Sequence, residues 1–242
     1  MSQSDLTTAA SRPALATRPQ AIFFDLDGTL ADTAADLAAP INAMRRAQNL
    51  PELPLAELRP FVSHGARGLL GKGFGVLPTD ADFEPMRVEF MQRYEAALVV
   101  HTRLFDGMTE ILQTIEAADL IWGVVSNKTE RLVVPVLAGL GLLERSATAI
   151  GGDTTAHSKP HPAPLQHAAR QVGVDPAACV YVGDDRRDIQ AGHAAGMFTI
   201  AAAWGFYEAA DPPQAWDAGA IADNPQDLAR IIGLVTDARL RR

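Results

Sequence analysis

Short apolar runs that break off abruptly into polar residues constrain this chain more than any other feature. Ala21-Ile22-Phe23-Phe24 stops at Asp25-Leu26-Asp27-Gly28-Thr29. Ile121-Trp122-Gly123-Val124-Val125 stops at Ser126-Asn127, and Val180-Tyr181-Val182 stops at Gly183-Asp184-Asp185. Met197-Phe198-Thr199-Ile200 is a further short run. Runs of this length without alternation read as strands buried on both faces. Helical spacing fills the intervals: Ile111, Leu112 and Ile115 share one face, and Leu132, Val136 and Leu140 share another. Strands alternating with helices predict an α/β fold with a parallel sheet. Open sheets of this kind bind ligands beyond the carboxyl ends of their strands. Asp25, Ser126 and Asp184 are therefore expected to meet in one cleft.

The stretch from Thr33 to Thr102 has a different character. It lacks a buried-strand run, and Pro51, Pro54, Pro60 and Pro78 punctuate it. Leu37, Ile41 and Met44 fall on one helical face, and Phe83, Met86, Phe90 and Tyr94 predict a helix over 82–100. The expectation is an all-helical cap over 33–102, inserted in a core made of 20–32 and 103–242. Residues 1–19 are rich in Ser, Thr and Ala, carry Arg12, Pro13, Arg18 and Pro19, and lack a continuous apolar segment. They read as a flexible tail rather than a secretory signal.

Composition excludes several partners. Of the 242 residues, 48% are hydrophobic and 21% charged, ordinary for a globular protein, and the formal net charge is −8. Such a chain lacks the basic footprint that nucleic acid requires. It can hold a multivalent cation if its carboxylates converge. Cys179 is the one cysteine, so neither an intramolecular disulfide nor a cysteine-built zinc site is available. No run approaches the ~18 apolar residues of a membrane span. A cytoplasmic protein without membrane or nucleic-acid partners is expected.

Two carboxylates, Asp25 and Asp27, leave a buried strand where solvation is poor. Burying unpaired anions is costly, and a hard cation such as Mg²⁺ with its oxygen ligands offsets that cost. A solvated turn is the bland alternative. Asp184, Asp185 and Asp188 form a second acidic cluster. Asp185 also suits a helix N-cap, whereas Asp184 near Asp25 would repel it without a cation. In Ser126-Asn127-Lys128 a hydroxyl and backbone N–H groups can hold a phosphate oxygen or simply cap a helix. Lys159, restrained by Pro160, can neutralise phosphate or a carboxylate; the alternative is an exposed loop lysine.

Taken in order, Asp25-Leu26-Asp27-Gly28-Thr29, Ser126, Lys159 and Gly183-Asp184-Asp185 with Asp188 resemble the motifs of the haloacid dehalogenase superfamily. The resemblance implies a Rossmann-like parallel sheet core and a helical cap inserted after the first motif. It implies that Asp25 is a nucleophile forming an aspartyl-phosphate, and that Asp27 protonates the leaving oxygen and then activates water. By the same resemblance Mg²⁺ is held by Asp25, Asp184 and the Asp27 backbone carbonyl. Thr29, Ser126, Asn127 and Lys159 would contact the phosphate ester, and Asp188 would support the metal or Lys159. The dehalogenase branch lacks the second aspartate, so Asp27 favours phosphoryl transfer.

Specificity belongs to the cap. Val62-Ser63-His64-Gly65-Ala66-Arg67-Gly68 is the candidate loop, with Arg67 able to form a two-point contact to a carboxylate and His64 beside it. An interdomain salt bridge is the alternative role for Arg67. Gly71-Lys72-Gly73 is no P-loop, since Ala66 and Gly73 stand where Gly and Ser or Thr are needed. His157 and His161 are separated by Pro160, which breaks the helix a zinc pair would use. Cys179, Trp122, Trp204 and Trp216 read as packing residues.

Val62 to Arg67, Ala178 to Gly196 and Ser158 to Pro164 are also similar to the bacterial phosphoglycolate phosphatase group. Within it they are most similar to the N-acetylmuramic acid 6-phosphate phosphatases of peptidoglycan recycling. Trp204-Gly205-Phe206-Tyr207 departs from the Tyr-Gly-Tyr order of that group. The expected activity is Mg²⁺-dependent hydrolysis of a small carboxylated phosphate monoester, with the sugar acid needing the roomier pocket. A mutase using the same phosphoenzyme, or a metal-binding interaction module without catalysis, are the alternatives.

Overall fold

The computed structural model describes residue 15 and residues 18–234; most of the expected tail lies outside the described residues. The first apolar run forms β1 (Ala21–Phe24), fully buried. Ile22 and Phe24 enter one core cluster and Ala21 and Phe23 another, so β1 is packed on both faces. Burying a phenylalanine side chain contributes roughly 1.5–3 kcal/mol, which anchors the strand before the polar break.

After β1 come β2 (Ala31–Asp32), α1 (Ala34–Ala47), α2 (Leu55–Leu58), α3 (Gly65–Phe74), α4 (Phe83–Glu95) and β3 (Arg103–Leu104). Then follow α5 (Met108–Ala117), β4 (Ile121–Val125), α6 (Glu130–Gly139), β5 (Ala149–Ile150) and α7 (Ala163–Val172). The described chain ends with β6 (Cys179–Gly183), α8 (Arg186–Ala195), β7 (Phe198–Ala202), β8 (Ala220–Ala222) and α9 (Pro225–Ile231). The large sheet has the order β5-β4-β1-β6-β7-β8, and all its pairings are parallel. The expected α/β architecture is present, with a helical region between β2 and β3. Strands β5 and β8 are additions to the sequence reading. Each is an edge strand too short to leave an apolar run of its own.

Register explains how distant residues meet. Phe24 pairs with Val124 on one side and Val182 on the other. Asp25, Ser126 and Asp184 therefore leave the sheet at one edge, beside the switch point where the strand order reverses around β1.

β2 and β3 pair antiparallel, Asp32 opposite Arg103, and form the neck of the helical region. That region packs Leu37, Ile41, Met44, Leu69, Leu70, Phe90 and Tyr94 into a cluster that Leu132 and Phe206 of the core join. The expected helix over 82–100 ends at Glu95 instead. Buried Asp36 accepts the backbone N–H groups of Val100, His101 and Thr102 and the Thr102 hydroxyl. Those bonds draw the chain away from α4 toward β3. Cys179, Trp122 and Trp216 are buried, as expected of packing residues. Among the described residues no helix is long and apolar enough to cross a membrane.

Candidate active site

The Asp25 N–H donates to the Val182 carbonyl at 2.9 Å, so the sheet's bonding continues past β1 and fixes the carboxylate at the sheet edge. Asp25 Oδ1 accepts the Leu26 N–H at 2.8 Å and lies 3.0 Å from Lys159 Nζ. Lys159 also lies 2.7 Å from Asp188 Oδ1, and it donates to the Tyr181 hydroxyl at 2.7 Å. Burial opposes its charge, but Asp188 and Asp25 outweigh burial and raise its pKa. Asn127 clamps the lysine's backbone: its Oδ1 accepts the Lys159 N–H at 2.9 Å and its Nδ2 donates to the Lys159 carbonyl at 3.0 Å. Lys159 is thus a buried, fixed cation, not an exposed loop lysine.

Asp184 follows β6 and is fully buried. Its Oδ1 accepts the Thr29 hydroxyl at 2.7 Å. Its Oδ2 accepts the Phe206 N–H at 2.8 Å and the Ser63 hydroxyl at 3.0 Å, the latter from the helical region. Only glycine fits at Gly28, whose φ is +87° and where a Cβ would stand 2.1 Å from Asp184 Oδ2. Burial, then the charges of Asp25 and Asp188, push the Asp184 carboxyl well above its usual range. Burial likewise raises Asp188 to about 7, against the pull of Lys159.

Asp25, Asp184 and Asp188 each offer an oxygen, and these oxygens lie within 4.8 Å of one another. An all-oxygen set of crowded, buried carboxylates fits a hard divalent cation. The Asp27 side chain is directed elsewhere. Its Oδ2 lies 3.0 Å from Lys128 Nζ, and its Oδ1 is buried with no hydrogen-bond partner among the described residues. Lys128 in turn donates to the Tyr94 hydroxyl of α4 at 3.1 Å and stands over that ring. Burial works against the Lys128 charge, yet Asp27 and Tyr94 prevail and raise its pKa.

A cavity of ≈360 Å³ opens over these groups. Asp25, Asp27, Ser126, Asn127, Lys159, Asp185, Asp188 and His64 all line it. Asp185 caps α8, accepting the Arg187 N–H at 2.8 Å, and His64 Nε2 lies 3.7 Å from Asp185 Oδ2. Two residues expected at the substrate stand off this wall. Thr29 is turned onto Asp184 and is not on the cavity wall. Arg67 is exposed and also absent from the wall. The wall's cations are instead Arg87, Lys128, Lys159 and Arg187. The sequence held a signal for two of the missed residues. Lys128 adjoins the Ser126-Asn127 pair, and Arg87 lies at helical spacing between Phe83, Phe90 and Tyr94, a charge set in an apolar stripe.

Known proteins place this geometry. A family model described as haloacid dehalogenase-like hydrolase matches residues 22–202. A phosphoglycolate phosphatase of Xanthomonas campestris pv. campestris is 48% identical over 210 residues, which cover 87% of this chain and 95% of that protein. An N-acetylmuramic acid 6-phosphate phosphatase of Pseudomonas putida is 42% identical over 215 residues, covering 89% and 96%. The crystal structure of a predicted phosphoglycolate phosphatase from Haemophilus somnus superposes with a TM-score of 0.78 at 29% identity, covering 89% of this chain and 99% of that one. The chain accordingly belongs to the haloacid dehalogenase-like hydrolase family, and within it to the phosphatases.

Proposed function

We propose that this protein is a magnesium-dependent phosphatase of carboxylated phosphate monoesters that works through an aspartyl-phosphate on Asp25. The observation that carries the reading is the Lys159 ammonium, held 3.0 Å from Asp25 and 2.7 Å from Asp188 at the floor of the cavity. Residues 33–102 act as the cap, and 20–32 with 103–242 as the catalytic core. Asp25, Asp184 and the Asp27 backbone carbonyl would hold the cation, with Asp188 shared between the metal site and Lys159. When bound, magnesium supplies positive charge against the phosphoryl oxygens.

Among the described residues the Leu26 N–H and Lys159 both contact the Asp25 carboxylate at Oδ1, which leaves Oδ2 for attack on phosphorus. As the Oδ2–phosphorus bond forms, the ester oxygen–phosphorus bond breaks. In the substrate complex Asp27 carries a proton on Oδ1, brought in with the ester, and gives it to the departing oxygen. The same atom then takes a proton from the water that attacks the aspartyl-phosphate, releasing inorganic phosphate and restoring Asp25. An unpaired buried oxygen suits this duty, since a proton can arrive and leave without breaking a hydrogen bond. Ser126 and the N–H groups that follow it hold the phosphoryl oxygens, while Lys159 offsets their charge.

The ester is 2-phosphoglycolate or N-acetylmuramic acid 6-phosphate, substrates suggested by the relatives' names. The cavity volume falls within the roughly 300–1,000 Å³ range of small-molecule sites. Its apolar wall of Leu37, Val62, Phe90, Met91 and Leu132 favours the larger sugar acid, because a two-carbon acid leaves those side chains uncovered. Asp25→Asn is expected to abolish turnover and phosphoenzyme formation, and Asp27→Asn to trap the phosphoenzyme, read by intact-protein mass. Full phosphate release by Asp25→Asn rejects the nucleophile. Side-by-side kcat/KM values on the two esters decide the substrate.

A further inference from the structure

We propose that Arg87, on helix α4, holds the carboxylate of the substrate and selects carboxylated esters over uncharged ones. The inference rests on the phosphatase reading above and assigns the specificity that the sequence placed on Arg67.

Each of the other strong cations on the cavity wall is already committed to the core. Lys159 is bound by Asp25 and Asp188, and Lys128 by Asp27. Arg187 makes a fork to Asp185, with Nε at 2.8 Å from Oδ1 and an amino nitrogen at 2.7 Å from Oδ2. It also donates to the Ser63 carbonyl at 2.7 Å. Removing any of these from its partner would leave a buried or half-buried carboxylate unpaired, which is costly.

Arg87 stands apart. It donates to Glu84, three residues back on the same helix, through bonds of 2.8 and 2.6 Å. The two side chains are 42% and 63% exposed, and Glu84 does not line the cavity. A pair so exposed contributes little, so its guanidinium can exchange Glu84 for a ligand carboxylate in the same two-point geometry. Its neighbours on the wall from α4 are Phe90, Met91 and Tyr94. An anion on this side of the ester therefore meets one recruitable cation beside Phe90, Met91 and Tyr94, with the phosphoryl group at Asp25.

The test compares esters with and without the carboxylate-bearing group: 2-phosphoglycolate against ethyl phosphate, and N-acetylmuramic acid 6-phosphate against N-acetylglucosamine 6-phosphate, which lacks the whole lactyl ether. Steady-state kcat/KM is measured for the wild type, Arg87→Ala and Arg87→Lys, with thermal melts to check folding. Alanine is a strong helix former and the position is partly exposed, so the variants fold. The wild type prefers the carboxylated member. In Arg87→Ala that preference falls by about 10- to 100-fold, mainly through KM, the size expected for lost bonds to a charged group. Arg87→Lys falls between, having charge without the fork. Equal losses on both members of a pair, or an unaltered preference, overturn the inference while leaving the phosphatase reading in place. A wild type that releases phosphate from none of these esters, nor from p-nitrophenyl phosphate, overturns the functional reading and this inference with it.

Discussion

Lys128 keeps its charge in a place where burial alone would remove it. A desolvated ammonium loses its proton unless an anion holds it, and here Asp27 at 3.0 Å does so while Tyr94 accepts a further bond. The lysine occupies Oδ2 of Asp27 and leaves Oδ1 as the oxygen without a partner. It thereby fixes which oxygen handles the proton in the proposed cycle. Lys128→Met is expected to lower kcat by roughly 100-fold, the lower end of what a positioned acid–base group contributes, with a smaller change in KM. Steady-state kinetics on p-nitrophenyl phosphate measure it, and an unchanged kcat would remove Lys128 from the mechanism. Cys179 shows the opposite balance. Burial, with Asp175 nearby, raises its thiol to about 12, so the reactive thiolate is scarce at neutral pH. A maleimide should label the native protein very slowly and the urea-unfolded protein at once, read by mass spectrometry.

At the scale of elements, the helical region hangs on two short strands and one carboxylate. β2 and β3 each contribute two residues, too few for a stable ribbon alone. Asp36, in the first turn of α1, binds three successive backbone N–H groups and a hydroxyl in the segment that leads back to β3. Its replacement leaves several donors without acceptors. Asp36→Ala should cost on the order of 3 kcal/mol, measured by urea unfolding, and a loss below 1 kcal/mol would mean that the neck is held by other contacts. The same residue explains why the end of α4 was not legible. Helical spacing continues to Val100 in the sequence, but capture of these N–H groups by a carboxylate 64 residues away has no local signature.

For the molecule as a whole, carboxylates that follow β1 and β6 and one on α8 crowd beneath one cavity. A divalent cation that binds this folded arrangement and not the unfolded chain must stabilise it. Adding magnesium to chelator-treated protein should raise Tm by at least ~2 °C, about 1 kcal/mol for a domain of this size. Asp184→Asn should blunt that response, and a wild type whose Tm ignores magnesium would count against the metal assignment. The sequence by itself determined the four central strands of the sheet and the acidic strand ends of the site. A buried strand must run straight, so the residue that follows it lands at a known edge, and Asp25, Ser126 and Asp184 could be placed together from their runs alone. Only the tertiary structure decided the walls. Neighbouring positions on a helix differ by about 100° in direction, which leaves Gly65 and Ala66 on the cavity and turns Arg67 to solvent. Thr29 bonds Asp184 across 155 residues of sequence, and Arg87 comes to the cavity from another helix, a direction that depends on how the helical region is seated over the sheet. That seating is set by contacts between segments far apart in the chain, and no local pattern records it.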